Sequence, residues 1–305
     1  MSKILVTGGA GFIGSHLVDA LVVKNHKVVV VDNLSSGKKK FVNAEAKFYK
    51  ISVTSPKLKD IFKKERPEII YHLAAQKSVP FSLAHPLQDA TENIWGSLKV
   101  IEASLAVGVK KLVVFSTGGA IYSQAKFLPY KEIAPETPLS PYGVSKLTVD
   151  NYLRNFYGPV KKLNFVCLRP SNVYGPRQDP YGEAGVVSVF VHHLLKHQAC
   201  HINGSGRQTR DYIYVGDIVD AAVKAATRGS GVYNLGTGKE TSVNTLYHLI
   251  AGLLYGTEAK HQPAIAGEIM RSSLNSAKAF KELGWKPKTR FEDLVRIMVE
   301  ADKVR

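Results

Sequence analysis

The chain has 305 residues, 45% apolar and 22% charged, with two cysteines, Cys167 and Cys200. That length carries a full α/β core and one smaller lobe, two cysteines cannot build a disulfide framework, and no apolar run approaches the roughly 20 residues of a membrane span. The net charge of +16 raises nucleic-acid binding, but Lys38-Lys39-Lys40 is the one tight basic cluster and no aromatic residues interleave with it in an RNA-binding pattern. The excess charge is therefore read as solvated surface, with no nucleic-acid or membrane partner. Met1-Ser2 leads directly into the first apolar run, which leaves no room for a leader and predicts a cytoplasmic protein.

In chain order, β-branched runs at Lys3 to Thr7, Lys27 to Asp32, Lys47 to Ile51, Ile69 to His72, Lys111 to Ser116 and Asn164 to Pro170 are predicted strands. Their continuous Val/Ile/Leu character suits strands buried on both faces of a parallel sheet. Helix-length segments lie between them: Ile13 to Val23, Pro56 to Lys64, Pro86 to Val107 and Pro141 to Tyr157. Such alternation implies right-handed crossovers and a doubly wound sheet. After Gly175 the pattern loosens into turn formers, then gives a helix at Val186 to Lys196 and a strand–helix–strand return between Arg210 and Leu235. The fold expected is α/β: a Rossmann-type doubly wound parallel sheet with a smaller C-terminal α/β substrate lobe. Residues 1–170, rejoined by 208–239, would form the first domain, and 171–207 with 240–305 the second.

Between the first strand and the first helix stands Thr7-Gly8-Gly9-Ala10-Gly11-Phe12-Ile13-Gly14. Glycines there let the backbone turn tightly and approach a pyrophosphate, while the helix offers its N-terminal amides and dipole to the anion. Asp32 ends the second strand, where a carboxylate accepts from the adenosine ribose hydroxyls and repels a 2′-phosphate, so NAD is expected over NADP.

Tyr-x-x-x-Lys occurs three times, at Tyr122/Lys126, Tyr142/Lys146 and Tyr157/Lys161. The first follows a strand in a loop, and the third straddles Gly158-Pro159, which ends a helix. Tyr142 and Lys146 follow Ser140-Pro141 at a helix start and share one helix face. A phenol whose proton affinity is lowered by a nearby ammonium suits removal of a hydroxyl proton, and a nicotinamide is the natural acceptor for the hydride that leaves with it.

The glycine turn, Asp32-Asn33-Leu34-Ser35-Ser36-Gly37, His72-Leu73-Ala74-Ala75, Tyr142-Gly143-Val144-Ser145-Lys146 and Asn172-Val173-Tyr174-Gly175-Pro176 stand in an order that resembles the extended short-chain dehydrogenase/reductase family. Within it, the branch most similar is that of the UDP-glucose (UDP-galactose) 4-epimerases. The resemblance runs from Lys3 to about Trp285 and implies tightly held NAD, a UDP-sugar substrate and a homodimer. By position, Tyr142 would be the base, with Lys146 lowering its pKa and gripping the nicotinamide ribose. The resemblance places Gly8, Gly11, Phe12, Ile13 and Gly14 at the pyrophosphate turn, Asp32 at the ribose, Ser52 and Val53 at the adenine, and Asn33, Ser35, Ser36 and Gly37 among the cofactor-binding residues. Leu73, Ala74, Ala75, Lys77 and Asn93 would complete the cofactor wall. Asn172 and Arg210 match positions that hold a substrate diphosphate.

Where relatives carry the Ser or Thr that touches the sugar hydroxyl, four residues before Tyr122, this chain has Gly118; Thr117 is the nearest hydroxyl. Ser272, flanked by Glu268 and Arg271, falls beside the sugar C2 substituent, where a small residue resembles the state that admits an N-acetyl group. Reversible inversion at sugar C4 through a transient 4-keto sugar is thus the expected activity, on UDP-glucose/UDP-galactose and on UDP-GlcNAc/UDP-GalNAc. Two rivals remain: a nucleotide-sugar 4,6-dehydratase or decarboxylase, against which Gly119 and Ala120 replace an expected Asp-Glu, and a catalytically silent NAD-sensing regulator, which Gly118 favours. The homodimer would form through the helices of 86–107 and 141–157, with Leu98, Ile101, Leu105, Leu147 and Tyr152 facing the partner.

Overall fold

A computed structural model of the chain describes residues 1–123, 126, 128–181, 185–254, 256, 258–264 and 268–303. Its strands are β1 (Lys3–Thr7), β2 (Lys27–Asp32), β3 (Lys47–Lys50), β4 (Ile69–His72), β5 (Lys111–Phe115), β6 (Phe165–Pro170), β7 (Asn172–Tyr174), β8 (His201–Asn203), β9 (Thr209–Arg210), β10 (Tyr212–Tyr214), β11 (Gly231–Leu235), β12 (Thr241–Ser242) and β13 (Lys260–Gln262). Its helices are α1 (Phe12–Val23), α2 (Leu58–Glu65), α3 (Val79–Ala84), α4 (Pro86–Ala90), α5 (Gly96–Ala106), α6 (Pro141–Tyr152), α7 (Val186–Leu195), α8 (Val215–Ala225), α9 (Val243–Leu254), α10 (Ala277–Leu283) and α11 (Phe291–Lys303).

One parallel sheet runs β11-β6-β5-β4-β1-β2-β3. Strand side chains alternate between faces, so Val28 and Val30 join Leu17, Val18 and Leu21 of α1 on one side. Val29 and Val31 join Phe62 of α2 and Val100 and Ile101 of α5 on the other. All four β2 valines are buried, and each contributes roughly 1.5–3 kcal/mol. That double coverage is why these strands read as unbroken apolar runs. The chain reverses its direction of travel across the sheet between β1 and β4, which leaves a crevice at their carboxyl ends.

The two long helical stretches each contain a wider π turn, at Thr91–Trp95 and Leu153–Tyr157. In the first, Asn93 is turned inward, and its Nδ2 donates to Gln76 O and Asp89 Oδ1. Of the five apolar residues expected to face a partner, Ile101 is wholly buried in the sheet-side core, and Leu98 and Leu105 pack against it. Leu147 packs on the cluster around Tyr122 and Tyr130, leaving Tyr152 as the exposed one. Ile101 thus belongs to the monomer core, because α5 lies on the sheet, while Leu98, Leu105 and Leu147 stay half-buried.

A second core gathers Tyr174, Phe190, Val191, Leu246, Tyr247 and Ile250 among α7, α9 and the short strands. Beside it β7 pairs with β10 in parallel, β9 with β12 antiparallel and β8 with β13 in parallel. Among the described residues, no helix is long and apolar enough to cross a membrane.

Candidate active site

The β1–α1 turn is closed to side chains. Gly8 has φ +73°, and a Cβ there would lie 2.6 Å from Ala74 N; one on Gly14 would lie 2.1 Å from Gly8 O. Only glycine lets β1, α1 and the end of β4 approach so closely. Gly11 caps α1 without a side-chain hydrogen bond, which leaves the first helical amides for an anion. At the end of β2, Asp32 accepts from Ala10 N at 3.0 Å and Leu34 N at 2.8 Å. The carboxylate thereby shapes its own turn as well as presenting its charge to the crevice.

These elements open on one cavity of about 960 Å³, lined by Asp32, Ser52, Lys77, Tyr142 and Lys146 together with the glycine turn. Every expected cofactor residue lines it except Gly37 and Asn93. A Cβ on Gly37 would lie 2.9 Å from that of Ala10, and the Asn93 amide is committed to Gln76 and Asp89. The residues present fit a bound NAD: a glycine cradle, free helix amides and an acidic residue at the β2 end.

Ser140 Oγ accepts from Gly143 N at 3.2 Å and starts α6, so Tyr142 and Lys146 stand one turn apart beside β5. Burial pushes the Tyr142 phenol up to about 12, against a hydrogen bond from the Thr117 hydroxyl that lowers it; the Asp89 carboxylate also raises it. Lys146 Nζ donates to Phe115 O at 2.6 Å, and burial lowers its pKa. Among the causes acting on the phenol in this structure are burial, Thr117 and Asp89. The ammonium is engaged by a backbone carbonyl, and desolvation dominates at the phenol.

At Gly118 the Leu274 side chain occupies the space a side chain would need. A Cβ there would lie 2.4 Å from Leu274 Cδ1 and 3.2 Å from Arg169 O. Thr117, one residue earlier, hydrogen-bonds the Tyr142 phenol and lines the cavity.

The remaining expected substrate residues lie outside the lining of this cavity. The Asn172 side-chain oxygen is buried with no partner among the described residues, at 3.6 Å from where a Cβ of Gly119 would stand. Arg210 pairs with Glu268 at 3.0 Å, Arg271 grips Glu240 through two nitrogens at 2.9 and 2.7 Å, and Ser272 is buried.

Sequence reasoning missed Asp89. It is wholly buried on α4, accepts from Gln76 Nε2 and Asn93 Nδ2 on one oxygen, and takes Ser145 Oγ at 2.6 Å on the other. It fastens the helix that carries Tyr142 and Lys146 to the segment before α5. Ser116 and Ser171 were missed too: both line the cavity beside Tyr142, with buried hydroxyls that have no partner among the described residues. Their places just past β5 and β6 were the available signal, since strand ends face the crevice.

Comparison with known proteins agrees with this geometry. The UDP-glucose 4-epimerase of Mycolicibacterium smegmatis is 40% identical over 98% of this chain and 97% of its own. A crystal structure of UDP-glucose 4-epimerase with UDP-glucose from Thermotoga maritima superposes with a TM-score of 0.97 at 44% identity, covering 99% of both chains. That of a UDP-N-acetylglucosamine 4-epimerase from Methanobrevibacter ruminantium, in complex with UDP-N-acetylmuramic acid, gives 0.94 at 34% identity, covering 99% of this chain and 98% of that one. The profile of the NAD dependent epimerase/dehydratase family matches residues 4–236. With its glycine turn, Asp32 and the Tyr142–Thr117 pair on one crevice, the chain belongs to the NAD-dependent epimerase/dehydratase family.

Proposed function

We propose that the protein is an NAD-dependent 4-epimerase of UDP-sugars, acting on UDP-glucose and UDP-galactose and on their N-acetylamino counterparts. The observation that carries this reading is the Tyr142 phenol, hydrogen-bonded by Thr117 on the wall of the cavity that the glycine turn and Asp32 also line.

Bound NAD would supply a hydride acceptor that can return what it takes. Tyr142 Oη, as phenolate, would take the proton of the sugar C4 hydroxyl. Tyr142 Oη would later give the same proton back to the sugar oxygen, so that no net proton is consumed. Thr117 orients the phenol and favours its ionised form. Lys146 would hold the nicotinamide ribose, exchanging Phe115 O for it, and Asp89 holds the helix that bears both residues. Asp32 selects NAD over NADP by its charge. Gly119 and Ala120 offer no acid or base for elimination at C5 and C6, so epimerisation is favoured over dehydration.

Asn172, Arg210, Glu268, Arg271 and Ser272 are proposed to hold the UDP-sugar, the arginines exchanging their carboxylate partners for the diphosphate. The small Ser272 leaves room for an acetamido group. In this division of labour, residues 1–170 and 208–239 hold the dinucleotide, and 171–207 with 240–305 hold the sugar nucleotide. A homodimer is proposed through exposed apolar residues of the α4 and α6 segments (Leu87, Trp95, Val144, Phe156), and a cytoplasmic setting keeps the two buried thiols reduced.

The test is incubation of purified protein with UDP-glucose and, separately, UDP-N-acetylglucosamine, followed by proton NMR. Appearance of the axial C4 epimer in both samples supports the reading. A 4-keto-6-deoxy product, or an unchanged spectrum with NAD bound, overturns it.

A further inference from the structure

The crossing into the smaller lobe, Pro176 to Asp179, is laced to α1. His16 Nε2 donates to Pro176 O at 2.8 Å, and Arg177 Nη2 pairs with Asp19 at 2.7 Å. Phe12, His16 and Asp19 are four and three residues apart and so share one face of α1. Phe12 lines the cavity, and its ring meets that of His16 edge-on at 6.1 Å. The second Asp19 oxygen accepts from Asn43 Nδ2 at 2.8 Å, and the Arg177 guanidinium lies 5.7 Å from the Phe41 ring centroid. Three segments (α1, the loop beyond β2 and the crossing) thus converge on one guanidinium at the phosphate end of the crevice.

That guanidinium is held but not satisfied. Arg177 lines the cavity, and its Nη1 is buried with no hydrogen-bond partner among the described residues. Its backbone is left-handed, φ 68°, a conformation that disfavours side chains and persists only where surroundings impose it. Among the other cations on the cavity wall, Lys38 and Lys77 are exposed, and Lys146 is engaged by Phe115 O. A dinucleotide diphosphate carries two negative charges, whereas a helix N-terminus offers about half a charge. A buried, unpaired N–H on a fixed guanidinium is the complement that is missing.

We propose that Arg177 is a cofactor-binding residue: its Nη1 donates to the diphosphate of the bound dinucleotide, and the Pro176–Asp179 crossing is the strap that retains it. The assignment rests on the NAD-binding reading above. It also gives that reading a physical means, because a reaction without net redox needs a cofactor that stays between turnovers.

The experiment measures retention, not turnover. Wild type, Arg177→Gln and Arg177→Lys are loaded with NAD and diluted, and dissociation is followed by protein fluorescence. Adenosine, which lacks the diphosphate, is titrated in parallel. Dissociation of NAD is expected to rise about tenfold to a hundredfold in Arg177→Gln, consistent with loss of one charge-assisted hydrogen bond, with adenosine affinity unchanged. Unaltered NAD dissociation, or equal weakening of NAD and adenosine, overturns the assignment. Should the Gln variant not fold, Arg177→Lys carries the same comparison, since a single ammonium cannot serve both Asp19 and the diphosphate. A wild-type protein that binds no NAD at all would instead sink the proposed function.

Discussion

At Tyr142 two effects oppose each other: burial favours the neutral phenol, and the Thr117 hydroxyl favours the anion. Burial prevails before cofactor arrives, so the proton is held up to about pH 12. With 10.0 as the ordinary value, the folded form binds this proton more tightly, and its contribution to stability is lost as pH rises from about 10 to about 12. In NAD-free protein, the ultraviolet phenolate signal that Tyr142→Phe removes should therefore appear near pH 12, and NAD should move it lower; a signal already present at pH 8 without NAD contradicts this. Tyr142→Phe should keep NAD bound yet lose turnover by on the order of a thousandfold or more, because only the proton acceptor goes; retention of a tenth of wild-type rate would name another base. Thr117→Val should reduce kcat by about tenfold to a hundredfold, the cost of one hydrogen bond to a developing charge, and a rate equal to wild type would remove Thr117 from the mechanism. Tyr142 was legible from its helix-start context. That the Thr117 hydroxyl meets the Tyr142 phenol was not, because the contact joins residues 25 apart in the chain and Leu274, a distant residue, fills the space above Gly118. Asp89 was hidden for a similar reason, since its partner Ser145 is 56 residues away.

Strand positions follow closely from the β-branched runs, because a strand covered on both faces leaves an unbroken apolar signature. The π turns inside the two long helical stretches left no such mark, since a single wider turn changes no residue's polarity, only which side it faces. Between elements, Glu65 at the end of α2 joins two strands through Lys3 at 2.8 Å on β1 and Lys47 at 2.6 Å on β3. Burial would raise this carboxyl, but hydrogen bonds from Lys3, Lys47 and Tyr49 outweigh it and hold its pKa at about 2 instead of 4.5. Its stabilising effect is full above about pH 4.5 and fades as pH falls toward 2. Glu65→Gln should destabilise the protein by about 1–3 kcal/mol at neutral pH and flatten the loss of melting temperature across that acid window. A variant that melts like wild type at every pH would show that the cluster is mere surface pairing.

On the scale of the molecule, Leu87 and Trp95 stand 84% and 57% exposed, and the proposed dimer would bury them. Sedimentation should give twice 33.4 kDa at micromolar concentration, and Leu87→Glu with Trp95→Glu together should give the single mass; a wild-type monomer at that concentration counts against the dimer. The sheet itself ties the lobes together. β11 reaches its place beside β6 only after the excursion through β7 to β10, and α8, between them, packs on α1. A fragment ending after β6 would therefore have a bare sheet edge and an uncovered α1, while the remainder would hold a strand and a helix with nothing to seat on. Neither half should be a folding unit, yet each contains the other's missing surface. Two polypeptides split at the crossing, co-expressed, should reassemble into one particle that melts in a single transition, whereas either alone should collapse into aggregate.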